Sequence, residues 1–108
     1  MDLDTVPTAV RRLIDATNAG DMDAFVAGFT ADGVVDDWGR EFAGPEAIRG
    51  WSDRESIGKH QTFEVDECRV DGDTVTLVVQ VGGDGFTGPS TFTFTVDGDR
   101  VSRMVITE

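Results

Sequence analysis

From His60 onward the chain alternates apolar and polar residues with a period of two, and this constrains the fold more than any other feature. Phe63 and Val65 share one parity. Val75, Leu77, Val79 and Val81 form an inward row, Phe92, Phe94 and Val96 alternate with Thr91, Thr93 and Thr95, and Met104 and Ile106 share a face. Turn residues break the pattern at Asp71-Gly72-Asp73, Gly82-Gly83-Asp84-Gly85 and Asp97-Gly98-Asp99. The reading is four consecutive antiparallel strands, joined hairpin to hairpin, with one face of the sheet covered.

The first half supplies the cover. Val6, Val10, Leu13, Ile14 and Thr17 fall on one helical stripe, so residues 5–19 read as a helix, with Thr5 and Pro7 as start signals and Gly20 as the stop. Asp21 caps a short second helix in which Met22, Phe25, Val26 and Phe29 repeat. Asp32-Gly33 reads as a turn, Val34–Trp38 as a short strand, Gly39 as a turn and Arg40–Ala43 as a strand stub. Gly44-Pro45-Glu46 opens a third helix, with Ile48, Trp51 and Glu55 on one face and Gly58 at its end. A block of helices beside a long meander is an α+β arrangement, and 108 residues make one domain, 1–108. A sheet curled around the helices leaves a cavity at its open end.

Charge narrows the partners. With 21 acidic and 9 basic residues the net charge is −12, which repels phosphate backbones and anionic membranes, so neither nucleic acid nor membrane is expected. No apolar run approaches a membrane span, and the acidic start, MDLD, is unlike a secretory leader, so a cytoplasmic location is expected. One cysteine, Cys68, and one histidine, His60, leave no basis for a metal site or a disulfide framework. Cys68 reads as a small strand filler, and His60, opposite in parity to Phe63 and Val65, as an outward structural or interface residue.

The order of short motifs adds a resemblance. Asn18-Ala19-Gly20-Asp21 lies between two helices, Phe29 precedes Asp32, a strand ends in Asp37, and Gly44 with Ala47-Ile48-Arg49 opens the next helix. In this order and spacing the chain resembles the nuclear-transport-factor-2-like superfamily, which includes ketosteroid isomerases and SnoaL-like polyketide cyclases. The resemblance implies a cone-shaped, curved antiparallel sheet wrapped around a long N-terminal helix, with three helices, a mostly apolar pocket and a homodimer. It includes both enzymes and non-catalytic binders, so fold alone does not name a reaction. In ketosteroid isomerases a strand-end Asp is the general base, and Asp37 stands at that position. The isomerase's tyrosine donor position falls at Leu13, in a chain with no tyrosine, and the second donor position falls near Ser90.

The expected chemistry is proton abstraction beside a carbonyl by Asp37, on a small apolar molecule and without metal or organic cofactor; the alternative is a non-catalytic ligand-binding or dimeric interaction module of the same fold. Val35 and Asp37 share parity, so a pocket-facing Val35 brings Asp37 with it, although Asp36 next door could be the inward residue instead. Trp38, Trp51, Arg54, Phe86, Ser90, Phe92 and Met104 are the candidate ligand contacts. Trp51 reads as core and pocket wall together, and Arg54 as a partner for Asp37, for an anionic ligand, or for the neighbours of Asp53 on a solvated face. The glycine-rich stretch Gly82–Ser90 reads as a wide, bulged hairpin or a flap tipped by Phe86. Asp15 reads as a surface acid near Arg11 or Arg12.

Overall fold

The computed structural model describes residues 6–107. Helix α1 (Thr8–Ala19) buries Ala9, Val10, Leu13, Ile14, Ala16 and Thr17, the stripe set by the 3.6-residue period. It stops at Gly20, whose φ of 70° is the left-handed cap that glycine adopts without a Cβ clash. Thr5, expected as a start signal, lies outside the described residues. Helix α2 (Met22–Ala27) is capped by Asp21, whose carboxylate accepts the Ala24 N–H at 3.1 Å.

Strands β1 (Phe29–Asp37), β2 (Arg40–Ala43), β3 (Thr62–Asp71), β4 (Thr74–Gly82), β5 (Gly88–Asp97) and β6 (Arg100–Thr107) form a single curved, unclosed sheet in the order β2-β1-β6-β5-β4-β3. Strands β3 to β6 are the expected hairpin meander. Every neighbouring pair is antiparallel except β1 and β6, which run parallel. Helix α3 (Pro45–Glu55), followed by a 3-10 turn at Ile57–Lys59, carries the chain from β2 to the far edge of the sheet. Helix α1 lies on the concave face against β3, β5 and β6. The core between them includes Val10, Leu13, Leu77, Phe94 and Met104.

Several local expectations change. Phe29 starts β1 instead of closing α2, and its ring meets Phe25 edge-on at 5.3 Å. Asp32-Gly33 is not a turn: both residues stay in β1, at an irregularity where the register with β6 shifts between Phe29 and Val34. A bulge absorbs the extra residues and lets the strand continue. A Cβ at Gly33 would lie 3.0 Å from both the Phe29 Cβ and the Thr30 carbonyl oxygen, so the glycine serves close packing at the bulge. Trp38 is not a strand residue. With φ of 55° it forms, with Gly39 at 89°, a two-residue hairpin loop with positive φ at both positions, which brings Asp37 opposite Arg40. Helix α3 ends at Glu55, before Gly58, and Gly58 packs directly onto the Asp53 backbone. The β4–β5 hairpin has no bulge; within the β3–β6 meander the irregularities lie at Val65/Glu67 and Thr95/Val96.

Candidate functional site

Strand parity decides the direction of Asp37. Val35 is fully buried and Asp37 is 9% exposed, so both point into the cone. Asp36 points the other way, accepting the Gly39 N–H at 2.8 Å and pairing with Arg103 at 3.0 Å. Glu41 joins at 2.7 Å, and its hydrogen bond is the main reason the Arg103 pKa is raised.

Two donors hold one oxygen of Asp37. Trp51 Nε1 donates to Oδ2 at 3.0 Å, and Arg40 donates to the same oxygen at 2.6 Å. Arg40 also bonds Glu55 at 2.9 Å, and this contact is the main reason the guanidinium pKa is raised; desolvation works against it, and the Asp37 charge adds to it. The indole comes from α3 and the guanidinium from β2, so helix and hairpin converge on one carboxylate. The other oxygen, Oδ1, has no hydrogen bond or ion pair among the described residues. The carboxylate is therefore oriented without being fully engaged, an arrangement that can accept a proton.

Asp37 stands on the wall of a cavity of about 360 Å³ at the open end of the cone. Register sets the apolar wall: Asp37 pairs with Ile106 and Ile106 with Phe92, so these three lie in one row across β1, β6 and β5. Phe63 and Val81 add to the wall from β3 and β4. The charged and polar part comes from Arg40, Arg54, Glu55, Ser56, Lys59 and Gln61. Two of the exposed large apolar side chains, Trp38 at 63% and Phe86 at 59%, also line the cavity. The Ser56 hydroxyl is shut off from solvent and has no hydrogen-bond partner among the described residues.

The SnoaL-like domain family model matches residues 10–104. The chain belongs to the SnoaL-like domain family. It therefore falls within the nuclear-transport-factor-2-like and ketosteroid-isomerase-like group. A candidate polyketide cyclase from Sinorhizobium meliloti is 29% identical and superposes with a TM-score of 0.86, over 98% of this chain and 99% of the other. A protein of ketosteroid isomerase-like fold from Catenulispora acidiphila, solved with trimethylamine, is 23% identical with a TM-score of 0.83, over 96% and 87% of the two chains. A Mycobacterium tuberculosis protein solved with estradiol-17beta-hemisuccinate is 19% identical with a TM-score of 0.79, over 91% and 88%. No curated protein matches the sequence.

Within this SnoaL-like domain, Asp37, Trp38, Trp51, Arg54, Phe86, Ser90 and Phe92 come together around the cavity. Met104 does not. It pairs with Val35 and Phe94, one pleat deeper than the Asp37–Ile106–Phe92 row, and it is core; Ile106 takes the wall position. Arg54 is not the partner of Asp37, because Arg40 holds that place across the hairpin; its guanidinium lies 5.9 Å from the Phe42 ring centre. The Ser90 hydroxyl is committed, donating to the Thr107 carbonyl at 2.8 Å. Leu13 is buried core. His60 is outward, with Nδ1 2.9 Å from an Asp84 carboxylate oxygen. Asp15 is exposed, and Arg12 reaches the Asp99 carbonyl rather than Asp15.

Sequence reasoning missed Arg40, Ser56 and Gln61. Arg40 had a usable signal, since a two-residue loop at Trp38-Gly39 sets positions 37 and 40 face to face. Gln61 had none. It is buried, donates from Nε2 to the Phe86 carbonyl at 2.7 Å and accepts the Gly85 N–H on Oε1 at 2.9 Å, so it pins the glycine-rich hairpin over the cavity.

Proposed function

We propose that this SnoaL-like domain is a cofactor-independent acid/base catalyst acting on a small, mostly apolar carbonyl compound of polyketide- or steroid-like type. The observation that carries this reading is the Asp37 carboxylate on an apolar cavity wall, with Oδ2 fixed by Trp51 and Arg40 and Oδ1 unengaged. Oδ1 takes a proton from the carbon next to the carbonyl, and the C–H electron pair moves into an enolate. Return of the proton at another carbon gives isomerisation; attack of the enolate carbon on a second carbonyl gives ring closure. Ser90 has its hydroxyl hydrogen directed at Thr107, so the buried, unpartnered Ser56 hydroxyl is the better candidate donor to the enolate oxygen. Trp38 and Phe86 provide apolar surface at the mouth. The ligands named for the Mycobacterium tuberculosis and Catenulispora acidiphila relatives support a small-molecule role for the cavity. We read the working form as a homodimer.

A second reading, a binding module without chemistry, is supported by the engaged Ser90 hydroxyl and by the absence of tyrosine from the chain. One experiment separates the two. Ketones, enones and aromatic polyketides are screened by thermal shift, and each hit is followed by mass spectrometry. Ligand at about 100 times its Kd adds about 2.7 kcal/mol of stability, a readable shift. Catalysis predicts a product whose rate falls about 100-fold or more in Asp37→Asn with ligand affinity retained. A hit that returns unchanged assigns binding alone, and turnover indifferent to Asp37→Asn removes the base assignment.

A further inference from the structure

The charge at the mouth of the cavity runs against the charge of the whole protein. A chain of net charge −12, with 9 basic residues in all, places three of them on this wall: Arg40, Arg54 and Lys59, against the carboxylates of Asp37 and Glu55. Arg40 bonds both of those carboxylates. Arg54 and Lys59 have no side-chain hydrogen bond or ion pair among the described residues. In a protein with more than twice as many acids as bases, two unpaired cations beside one cavity are available for a ligand's negative charge.

Both cations have anchored bases. Arg54 belongs to the last turn of α3, and its guanidinium lies over the Phe42 ring. Lys59 closes the 3-10 turn, where its N–H donates to the Ser56 carbonyl and its own carbonyl accepts the Asp84 N–H, each at 2.9 Å. The same cavity has an apolar wall of Phe63, Val81, Phe92 and Ile106. A ligand that satisfies both parts is apolar over most of its body and anionic at one end.

We propose that the cavity takes a monocarboxylate: an apolar, ring-sized body against Phe63 and Phe92, with its carboxylate held by Arg54 and Lys59. This rests on the reading of the cavity as the ligand site and names the substrate class for it. An anion is drawn to this wall although the rest of the surface repels it, so the preference belongs to these two residues.

The test compares 2-naphthylacetic acid with 2-naphthylacetamide, which share the apolar body and differ in charge. Binding is read by isothermal titration calorimetry, because the naphthyl body absorbs and emits in the same range as the two tryptophans that line the cavity, Trp38 and Trp51. The acid is expected to bind about tenfold or more tightly than the amide at low salt, an affinity difference of about 1.4 kcal/mol. The advantage shrinks as salt rises, because the cations are exposed. In Arg54→Gln/Lys59→Gln the two ligands bind alike, the acid having lost its advantage. Equal affinities in the parent protein, or an acid preference that survives the double substitution, overturn the proposal while leaving the cavity as a neutral-ligand site. Binding of neither probe at millimolar concentration also overturns it, and the Asp37→Asn turnover experiment then judges the catalytic reading separately.

Discussion

Removing the indole nitrogen of Trp51 tests how Asp37 is held. Trp51→Phe deletes the Nε1–H that donates to Asp37 Oδ2 at 3.0 Å and leaves an aromatic ring in the core between Phe25 and Phe42. The lost volume, roughly 40 Å³ at about 24 cal/mol per Å³, costs about 1 kcal/mol. The lost hydrogen bond to a charged group costs about 1.5–3 kcal/mol more. The Asp37 side chain is only 12% exposed, so water does not replace the missing donor. The expected destabilisation is about 2.5–4 kcal/mol, read from urea unfolding followed by circular dichroism. In an Asp37→Ala background the hydrogen-bond part is already gone, so the same substitution costs only about 1 kcal/mol. Equal costs in the two backgrounds would refute the claim that the indole orients the carboxylate.

Three other outcomes can be checked directly. Gln61→Ala removes both side-chain contacts that pin the hairpin, so the Gly85 amide exchanges with solvent at least about tenfold faster in hydrogen-exchange measurements; unchanged protection would mean the hairpin is held elsewhere. Burial pushes the Cys68 thiol above its ordinary pKa of 9.0, so the fold favours the protonated form. That contribution is complete below the unfolded thiol's pKa and is lost as pH rises through the folded one; iodoacetamide labelling should therefore show a higher midpoint in the folded than in the urea-unfolded chain, and a lower one would contradict the burial. The proposed homodimer predicts twice the chain mass by light scattering across dilution, and a monomer mass throughout would remove it.

Much of this architecture could be read from pattern. The stripe on α1, the Asp21 cap, the proline-led start of α3 and the period-two rows of β4 and β5 depend on neighbours close in sequence, and all reappear in the fold. The misreadings at Asp32-Gly33 and Trp38 share a cause. Asp-Gly is a turn signal only when the chain is free to reverse, and here the pairs with β6 on either side, at Phe29 and from Val34 on, and the Gly44 N–H bonding the Gly33 carbonyl keep the chain running on in β1. Trp38 takes a positive φ that its own preferences oppose, because the hairpin between β1 and β2 has two residues in which to turn.

For the cavity the division is sharper. Parity put Asp37 and Val35 on one face from the sequence alone, because alternation is a property of a single strand. Which of Met104 and Ile106 reaches the wall depends on the register of β6 against β1, and register is set by strands far apart in the chain. The partners of Asp37, the commitment of Ser90 to Thr107 and the placing of Arg54 and Lys59 at the cavity are likewise properties of side chains meeting across β1, β2, α3, the 3-10 turn, β5 and β6. Local periodicity determines which residues turn inward. Which inward residues meet one another depends on how the sheet curves and how the helix is laid over its mouth, and those are fixed by packing across the whole chain.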